Sequence, residues 1–404
     1  MIKALRGMKD LTFEESERFV HIITTAIAVA KRYGYSYIET PILEETKLFK
    51  RSVGESSDIV GKEMYQFEDK GGNDVCMRPE GTAGVVRAFV QAKLDKRQNE
   101  KFKFYYYGAM FRYERPQKGR LREFHQFGCE SFGESSVYED FTIIQMVGDI
   151  FHNLGIGYTL KINSLGCPFC MPKYRATLIS FLNNNRDKLC QDCNRRIKNN
   201  PIRVLDCKNK GCQSLFINSP KLIEHLCNSC SSDFHKLIKL LKDADIEFEI
   251  DRNLVRGLDY YNKTAFEFIS SNIGSQSAIA GGGRYDKLVE FLDGKTTPAI
   301  GFALGIERIM ELVQMPNSKR DGYYMGVMDT QAVDKLFKLA HKKRVKERVI
   351  VEYNPKKLKA HLKGADRAEA RYCAVIGEDE LKDNTIWVKD LVKRKEFKIA
   401  LSDF

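Results

Sequence analysis

The segment RYERPQKGRLREFHQFGCE, residues 112–130, decides the fold of this chain. Apolar and polar residues alternate with a period of two on both sides of a basic middle, and the preceding run FYYYGAMFRY, residues 104–113, alternates in the same way. A period of two is typical of a β-strand, since successive side chains point to opposite faces of a sheet. The pattern predicts a long antiparallel hairpin with a basic tip.

One face of the predicted hairpin carries polar residues that could bind a ligand. They are Arg112 and Glu114 on the first strand and Gln126 and Glu130 on the second. Gly108 and Gly128 share this face, and because glycine weakens the middle of a strand, we expect them to clear room above the sheet. His125 falls on the opposite face, where a structural role or an RNA contact is expected. A simpler alternative, that the charges only face water, remains open at this point.

Composition places the chain among ordinary globular proteins. Its 404 residues suffice for two or three domains, and 43% are hydrophobic. No apolar run approaches the ~20 residues that a membrane helix needs, and the first residues, MIKALRGMKD, contain no signal-peptide core. We therefore expect a cytoplasmic protein.

Positive charge is concentrated in two segments. Residues 165–243 contain 14 Lys and Arg against 6 Asp and Glu, and residues 319–404 contain 21 against 14. The whole chain has a net charge of +12, so the remainder is close to neutral. Two basic segments beside a neutral body favour a nucleic acid as partner.

Glycine-rich phosphate loops are not supported by the sequence. The run GKTT at residues 294–297 resembles the end of a Walker A motif, but Val289 stands where the leading glycine is required. The run GGGRYD at 281–286 fails the dinucleotide pattern because Asp286 stands at its last position. If the protein uses ATP, arginines must bind it.

Three further segments show regular patterns. Residues 253–269 resemble a second hairpin, and residues 298–312 predict a strand followed by a helix that bears Gly301, Gly305 and Arg308 on one face. Residues 357–381 predict a helix followed by a buried strand, which indicates a small α/β unit near the C-terminus.

The cysteines form four close pairs. Eight of the eleven lie within residues 167–230, as Cys167 and Cys170, Cys190 and Cys193, Cys207 and Cys212, and Cys227 and Cys230. In a reducing compartment such pairs are more often metal ligands than disulfides, and four pairs would make two tetrahedral zinc sites. Reduced thiols without metal are the alternative. We expect structural zinc, whose loss would impair binding of the nucleic-acid partner more than chemistry at an active site.

Seven blocks, in one order, resemble the histidyl-tRNA synthetase family of class II aminoacyl-tRNA synthetases. They are RGMKD near the start, TPILEETKLFKRSVGESSDIVGKEMYQF, MRPEGTAGVVRAF, MFRYERPQKGRLREFHQFGCESFG, LVRGLDYYNKTAFEF, AIAGGGRYDKLV and GFALGIERI. The blocks LVRGLDYY and GGGRYD are similar to the histidine-specific branch. The C-terminal segment departs most from the family pattern, and the cysteine set is not a general family feature.

The resemblance implies an α+β fold, a class II synthetase antiparallel-sheet catalytic core with a helical, cysteine-rich insertion and a C-terminal α/β anticodon-binding domain. The implied domains are residues 1–165 and 244–316 for the two parts of the core, 166–243 for the insertion and 319–404 for the anticodon-binding domain.

The resemblance also implies how the chain binds ATP. Arg112 is expected on the α-phosphate, Glu114 near the adenine, and Arg308 at the γ-phosphate, with Mg²⁺ sharing the charge. Arg256 is expected to reach the reacting α-phosphate and carboxylate. Guanidinium groups suit this task because the transition state spreads negative charge over phosphate oxygens.

The implied histidine pocket has two parts. The part for the α-amino group comprises Glu80, Gly81, Thr82 and Gln126. The part for the imidazole comprises Glu130, Tyr260 and Tyr261. Carboxylate and phenol groups can pair with the donor and the acceptor of an imidazole ring.

The hairpin tip is expected to contact the acceptor end of tRNA, through Arg115, Gln117, Lys118 and Arg120. The implied activity is histidine–tRNA ligation with ATP, in a homodimer whose interface includes the segment around Pro41. Two alternatives remain at this point: a catalytically silent, synthetase-like regulatory subunit of histidine biosynthesis, and a non-catalytic zinc-ribbon RNA-binding protein.

Overall fold

A computed structural model describes residues 2–54, 57, 59–97, 99–199, 201–207, 209–258, 260–273, 278–315 and 320–404. Internal contacts divide the chain into two compact units, Met1–Gln314 and Met315–Phe404. The domain bounds expected at residues 316 and 319 lie outside the described residues. No helix in the described part of the chain is long and apolar enough to cross a membrane.

The first unit is built on a large sheet. Its strands are, in chain order, β1 (Ser36–Tyr37), β2 (Leu43–Glu45), β3 (Gln66–Glu68), β4 (Asp74–Met77), β5 (Phe102–Phe111), β6 (Glu123–Phe132), β7 (Thr159–Ser164), β8 (Glu249–Ile250), β9 (Asn262–Ile269), β10 (Ala278–Arg284) and β11 (Ala299–Gly305). Eight of these form one sheet in the order β1-β5-β6-β11-β10-β9-β7-β8, and β2-β4-β3 form a small one. The central pairings are antiparallel, which confirms the expected α+β class.

The helices of the first unit are, in chain order, α1 (Glu14–Arg32), α2 (Thr46–Val53), α3 (Thr82–Gln91), α4 (Val137–Asn153), α5 (Met171–Asn183), α6 (Gln191–Asn199), α7 (Lys210–Phe216), α8 (Asn228–Asp243), α9 (Leu288–Phe291) and α10 (Ile306–Met310). A π-helical turn spans Ile59–Glu63, and 3₁₀ turns span Leu94–Lys96, Arg186–Lys188, Pro201–Asp206, Leu222–His225 and Ser271–Ile273.

Strands β5 and β6 form the predicted hairpin. Tyr106 lies opposite Gly128, and Gly108 lies opposite Gln126, so the polar face is the one expected from the alternation. Because side chains alternate along a strand, Phe127 on β6 points instead into the apolar core under α1 and α4. The two faces of one hairpin thus serve a buried core and a polar site.

Two of the expected elements are wrong. Residues 253–258 are not a strand, because the backbone closes a turn there, with Leu254 N donating to Asp251 O at 2.9 Å. The second hairpin is formed by β9 and β10 instead. Gly301 and Gly305 lie in strand β11 rather than in a helix, since β11 is bonded on one side to β6 and on the other to β10.

The segment between β7 and β8 folds as a helical insertion, as expected. Helices α5 to α7 and the turns between them surround a core of their own, in which Tyr174, Leu178 and Phe216 are buried, whereas α8 packs into the core shared by α1 and α4. The same core continues to Ala265 on β9, so the insertion is packed against the large sheet.

The second unit is a five-stranded sheet with helices. Its strands are β12 (Tyr323–Val327), β13 (Val349–Glu352), β14 (Tyr372–Ile376), β15 (Thr385–Asp390) and β16 (Lys395–Ala400), in the order β13-β12-β14-β15-β16. Its helices are α11 (Val333–Lys343), α12 (Leu358–Arg367) and α13 (Glu378–Lys382), with a 3₁₀ turn at Thr330–Ala332. Helix α12 followed by strand β14 confirms the helix and strand predicted for residues 357–381.

Candidate active site

A cavity of about 350 Å³ lies above the polar face of the β5–β6 hairpin. It is lined by ten of the residues predicted from the sequence, namely Glu80, Thr82, Arg112, Glu114, Arg120, Gln126, Arg256, Tyr260, Tyr261 and Arg308. Glu130 lies next to this lining through its bond to Thr82. Arg115, Gln117 and Lys118 are exposed and are not part of the lining.

Arg112 directly follows strand β5. Its Nε donates to Pro79 O at 2.9 Å, and its guanidinium lies 5.1 Å from the centre of the Phe124 ring. Burial lowers the pKa of Arg112 from its usual value, although an arginine stays charged in proteins. The guanidinium is therefore a fixed cation in the cavity wall.

Arg308, in helix α10, enters the cavity from another side. Its Nε donates to Gly119 O at 3.0 Å and its Nη1 to Ala278 O at 2.6 Å. Burial, together with the positive charges of Arg112 and Arg120, lowers the pKa of Arg308. Cations close enough to lower the pKa of Arg308 make this wall of the cavity a favourable environment for an anion.

Arg256 lies on the loop before β9 and reaches the cavity beside strand β10. Its Nη1 pairs with Glu267 of β9, a residue that sequence reasoning missed. A Cβ on Gly281 would lie 2.5 Å from Nη1 of Arg256, so the first glycine of the GGGRYD run makes room for this side chain. The Nε of Arg256 is buried and has no hydrogen-bond partner among the described residues.

The hairpin tip folds back toward the cavity. Gln117 and Arg120 exchange backbone hydrogen bonds of 3.0 and 2.9 Å across a tight turn, in which Gly119 has a φ of +70° that favours glycine. Arg120 forms an ion pair with Glu114, whereas Lys118 bonds Glu311 at 3.1 Å. Gly119 and Arg120 of the tip therefore line the cavity, whereas Arg115, Gln117 and Lys118 do not.

Glu130 is fully buried, and its carboxylate accepts hydrogen bonds from three hydroxyl groups. Thr82 Oγ1 donates to its Oε1 at 2.7 Å, Tyr106 donates to the same oxygen at 3.2 Å, and the Tyr285 hydroxyl donates to Oε2. Burial raises the pKa of Glu130 to about 8, and the hydrogen bonds from these hydroxyl groups oppose the shift. Sequence reasoning missed Tyr106 and Tyr285, although Tyr285 lies inside the GGGRYD block.

Glu80 fixes the start of helix α3. Its carboxylate accepts the backbone N–H of Thr82 at 2.7 Å and that of Ala83 at 2.8 Å, two donors that a helix N-terminus leaves unpaired. Burial raises the pKa of Glu80. Gly81 packs under Tyr106, because a Cβ there would lie 2.1 Å from the phenol ring.

Besides Nε of Arg256, the buried polar atoms at the cavity that have no hydrogen-bond partner within the described part of the chain include Oε1 of Gln126 and the hydroxyl of Tyr260. The Tyr260 ring lies 4.7 Å from that of Tyr261, centre to centre. Buried polar groups are normally hydrogen-bonded, so these two atoms indicate a ligand-binding position.

His125 lies outside this polar face, as expected. Its Nδ1 is 2.8 Å from Glu307 Oε1, and its backbone N–H also donates to the Glu307 carboxylate. Its ring meets Phe19 of α1 edge-on, at 4.9 Å between centres. These contacts indicate a structural role.

The paired cysteines form two groups of four. The outer cluster is Cys167, Cys170, Cys227 and Cys230, and the inner cluster is Cys190, Cys193, Cys207 and Cys212. Within each cluster the sulfur atoms lie within 4.8 Å of one another. The sequence predicted two sites, and the structure shows which pairs share a site. Along the chain, both pairs of the inner cluster lie between the two pairs of the outer cluster.

The sulfur distances fit a tetrahedral metal site. The Sγ–Sγ distances are 3.7 Å for Cys167 and Cys170 and 3.8 Å for Cys190 and Cys207. Four sulfurs at about 2.3 Å from one zinc ion stand about 3.8 Å apart at tetrahedral angles. A disulfide requires about 2.05 Å, and all of these cysteines are free.

Comparison with known proteins gives family matches over both units. The family model described as Histidyl-tRNA synthetase matches residues 7–167 and 219–309, and that described as Anticodon binding domain matches residues 316–404. Residues 168–218, between the first two ranges, contain five of the eight paired cysteines.

Individual relatives match along the full length. The chain is 72% identical over 403 residues to the histidine–tRNA ligase of Sulfurovum sp. (strain NBC37-1) and 66% identical over 403 residues to that of Sulfurimonas denitrificans, with 100% of each chain covered in both cases. The crystal structure of apo S. aureus histidyl-tRNA synthetase is similar with a TM-score of 0.83 at 33% identity, covering 100% of this chain and 98% of that one.

Proposed function

The chain belongs to the histidyl-tRNA synthetase family, and we propose how its cavity residues carry out the reaction of that family. The reaction is histidine–tRNA ligation: histidine and ATP give histidyl-adenylate and pyrophosphate, and histidine then moves to the 3′ end of tRNA(His). The observation that carries the residue assignment is the convergence of Arg112, Arg256 and Arg308 on one cavity beside Glu130.

In this proposal ATP is bound by arginines. Arg112 takes the α-phosphate, Arg308 takes the γ-phosphate, and Glu114 lies near the adenine. The support is that both guanidinium groups are anchored through backbone carbonyls, which holds them in place before the nucleotide arrives. Groups arranged in advance of the reaction lower its barrier because they need no reorganisation. Arg120, paired with Glu114, adds a further positive charge to the same wall.

Proteins of this family use Mg²⁺ with ATP. The cavity lining offers the carboxylate of Glu267 beside Arg256, and carboxylate oxygens are ligands that Mg²⁺ takes together with phosphate oxygens. We assign Glu267 as a magnesium ligand. When bound, the ion neutralises charge on the phosphate oxygens.

The histidine substrate is placed against the polar floor of the cavity. Glu130, Tyr260 and Tyr261 surround the imidazole, and the unpartnered Tyr260 hydroxyl supports a hydrogen bond to a ring nitrogen. The α-amino group is placed near Glu80, Gly81, Thr82 and Gln126, of which Gln126 offers an unpartnered oxygen. Such a pocket rejects apolar side chains by ~10⁴ or more, because its buried polar groups would stay unpaired.

Arg256 acts on the reacting α-phosphate and the histidine carboxylate. Its unpartnered Nε and its position opposite Gly281 support this role. No covalent enzyme intermediate is required, since correct positioning and charge stabilisation suffice for attack of the carboxylate on the α-phosphate.

The exposed part of the hairpin tip binds RNA. Arg115, Gln117 and Lys118 offer cations and an amide outside the cavity, which suits phosphate and base contacts at the acceptor end of tRNA. Arg120 was predicted to contact the acceptor end together with these residues. We assign it a position between the ATP site and the acceptor end of tRNA.

Each cysteine cluster binds one zinc ion with a structural role. The tetrahedral spacing of the sulfurs supports the assignment, as do backbone N–H donors to sulfur from Cys190 to Cys212 at 3.2 Å and from Cys227 to Cys170 at 3.2 Å. Donors of this kind stabilise thiolates, which are the form of cysteine that binds metal.

The protein acts as a cytoplasmic homodimer in this proposal. Large apolar side chains around Pro41 are exposed, with 45% of Tyr37, 45% of Ile42 and 50% of Leu43 accessible. Tyr37 lies in β1 at the edge of the large sheet and Leu43 in β2 at the edge of the small sheet, and a second copy can cover this exposed surface. Sedimentation of the purified protein tests the dimer, and the double change of Ile42 and Leu43 to Ser should yield monomers.

Histidine-dependent exchange of pyrophosphate into ATP tests the function. Pyrophosphate exchange is expected for the intact chain when histidine is supplied, and no exchange is expected when another amino acid is supplied instead. A regulatory subunit of histidine biosynthesis or a zinc-ribbon RNA-binding protein would not catalyse it. Lack of exchange by protein that binds ATP and histidine would contradict the residue roles proposed above.

A further inference from the structure

The loop that carries Arg256, residues 251–258, lies between β8 and β9 and contains neither strand nor helix. A segment without a backbone ladder takes its position from the contacts made by its individual groups. One such contact is to the large sheet, where Asn163 Nδ2 on β7 donates to Leu254 O at 3.0 Å. Others come from the cysteine-rich insertion.

The most direct of these contacts joins Arg203 to the residue after Arg256. The Arg203 guanidinium donates to the carbonyl oxygen of Gly257. The carbonyl oxygen of Arg203 itself accepts from Arg196 Nη1 at 3.1 Å, so the backbone at Arg203 is tied to α6. The direction of the 256–257 backbone thus depends on a side chain of the insertion.

A second polar contact reaches the start of the loop. Lys221 Nζ donates to Asn253 Oδ1 at 2.7 Å and to Phe216 O at 2.6 Å, which joins the loop to the end of α7. Between the polar contacts at Asn253 and Gly257 the loop makes an apolar contact. Val255 packs against the insertion core, which contains the fully buried Val204.

Arg203 is held in turn by the inner cluster. It lies in the 3₁₀ turn Pro201–Asp206, between Cys193 in α6 and Cys207 directly after the turn. Both cysteines are buried, and Cys207 follows the turn directly. A metal ion that joins Cys193 to Cys207 closes this short segment into a loop and removes most of its freedom.

We propose that Arg203 is a positioning residue for adenylate formation. By binding the Gly257 carbonyl it fixes the direction in which Arg256 enters the cavity, and the inner cluster holds Arg203 where it can do so. The inference rests on the role proposed for Arg256. It revises the expectation from the sequence, since loss of metal from the inner cluster should slow adenylate formation as well as weaken tRNA binding.

The test compares Arg203→Ala and Arg203→Lys in the full chain, with zinc content confirmed as equal to that of the unaltered protein. Arg203→Ala should lower the turnover rate of pyrophosphate exchange ~10- to 100-fold, because small displacements of a positioned group cost this much. The KM for histidine should stay within about three-fold of its original value, since ground-state contacts to histidine are unchanged. Arg203→Lys should recover part of the rate, because an ammonium can still donate to the carbonyl.

Hydrogen exchange gives a readout that is independent of activity. Amides of residues 252–258 should exchange faster in Arg203→Ala, and also in metal-depleted protein, while amides of β5 stay protected. Arg195→Ala is the matched control, because Arg195 is exposed on α6 and bonds Asp192 of the same helix. Arg195→Ala should change neither the rate of pyrophosphate exchange nor the protection of residues 252–258 against hydrogen exchange.

Three outcomes would overturn the inference. One is a wild-type rate in Arg203→Ala, another is unchanged protection of residues 252–258, and the third is equal loss of protection in β5, which would show general loosening. If Arg203→Ala keeps the rate while Arg256→Ala loses it, positioning by Arg203 is wrong and the role of Arg256 stands. If Arg256→Ala also keeps the rate, the role of Arg256 is wrong.

Discussion

A Cβ on Gly301 would lie 1.7 Å from Oε2 of Glu130 and 2.6 Å from the carbonyl oxygen of Cys129. The two residues are partners in the register of β6 and β11, so the absence of a side chain on one strand is what admits the carboxylate of the other. The glycine therefore shapes the proposed histidine pocket through the position of Glu130.

Gly301→Ala should both destabilise the first unit and displace Glu130. Overpacking of a buried site costs about 1–3 kcal/mol, which urea denaturation of the purified protein would measure. The KM for histidine in pyrophosphate exchange should rise as Glu130 moves. Gly157→Ala is the control, since no described atom beyond its chain neighbours lies within 4 Å of a Cβ there. Equal stability and KM for the two variants would contradict the role given to Gly301.

Glu130 should make stability depend on pH. Its pKa in the folded chain is about 8 against an ordinary 4.5, so between these values the unfolded chain releases a proton that the folded chain keeps. Stability from this group is complete below pH 4.5 and is lost as pH rises toward 8. Glu130→Gln has no such proton, so the melting temperature of the unaltered protein relative to this variant should fall from pH 5 to pH 8. A difference that is constant with pH would contradict the raised pKa, and Glu14→Gln, at an exposed position, is the control.

Arg256→Ala should slow adenylate formation far more than it weakens histidine binding. Loss of one donor that stabilises developing charge costs on the order of 10²–10³ in rate. Single-turnover adenylation and equilibrium binding of histidine measure the two quantities separately. Arg252→Ala is the matched control, because Arg252 lies on the same loop but pairs with Glu224 at the surface. Weaker histidine binding with a normal adenylation rate would show that Arg256 serves binding instead.

The hairpin tip should divide into an RNA part and an ATP part. Gln117→Ala combined with Lys118→Ala should leave pyrophosphate exchange within a few-fold and cut tRNA charging by ~10-fold or more, since one or two polar contacts to RNA are lost. Arg120→Ala should impair exchange as well, because Arg120 pairs with Glu114 in the cavity wall. Parallel losses of exchange and charging in the double variant would contradict this division.

Two zinc ions per chain are expected on elemental analysis of protein purified without chelator. Replacing Cys193 and Cys207 by Ser should remove one ion and leave the other, because these residues belong to the inner cluster alone. Cys373→Ala, at a buried cysteine of the second unit, should leave both ions in place. Less than a tenth of an equivalent of metal in the unaltered protein would reject the zinc assignment.

The predictable parts of this structure are those set by local pattern. Alternation over residues 104–130 was enough to predict the β5–β6 hairpin and the face of Gln126 and Glu130, because a period of two is a property of each strand by itself. Reasoning from local pattern also predicted, wrongly, that Gly301 lies in a helix. Nothing in the local pattern of residues 299–305 shows that two neighbouring strands pair with this segment.

Contacts between distant segments explain most of what the sequence did not reveal. Tyr285 reaches Glu130 across 155 residues of chain, and Glu267 becomes the partner of Arg256 only when β9 lies beside the loop. Likewise, four cysteine pairs predict two metal sites, but which pairs share a site depends on how α5 to α8 reverse the chain.

The outer cluster brings the start of the insertion together with the start of its last helix, α8. Cys167 follows β7 and Cys227 precedes α8, yet their sulfurs are only 3.8 Å apart. A loop whose ends are clasped can change length at little thermodynamic cost, about 0.6 kcal/mol for each doubling, without moving the elements on either side. The length of chain between Cys170 and Cys227 can thus change without moving β7 or α8, as long as the inner cluster and the contacts of Arg203, Val204 and Lys221 with the Arg256 loop are kept.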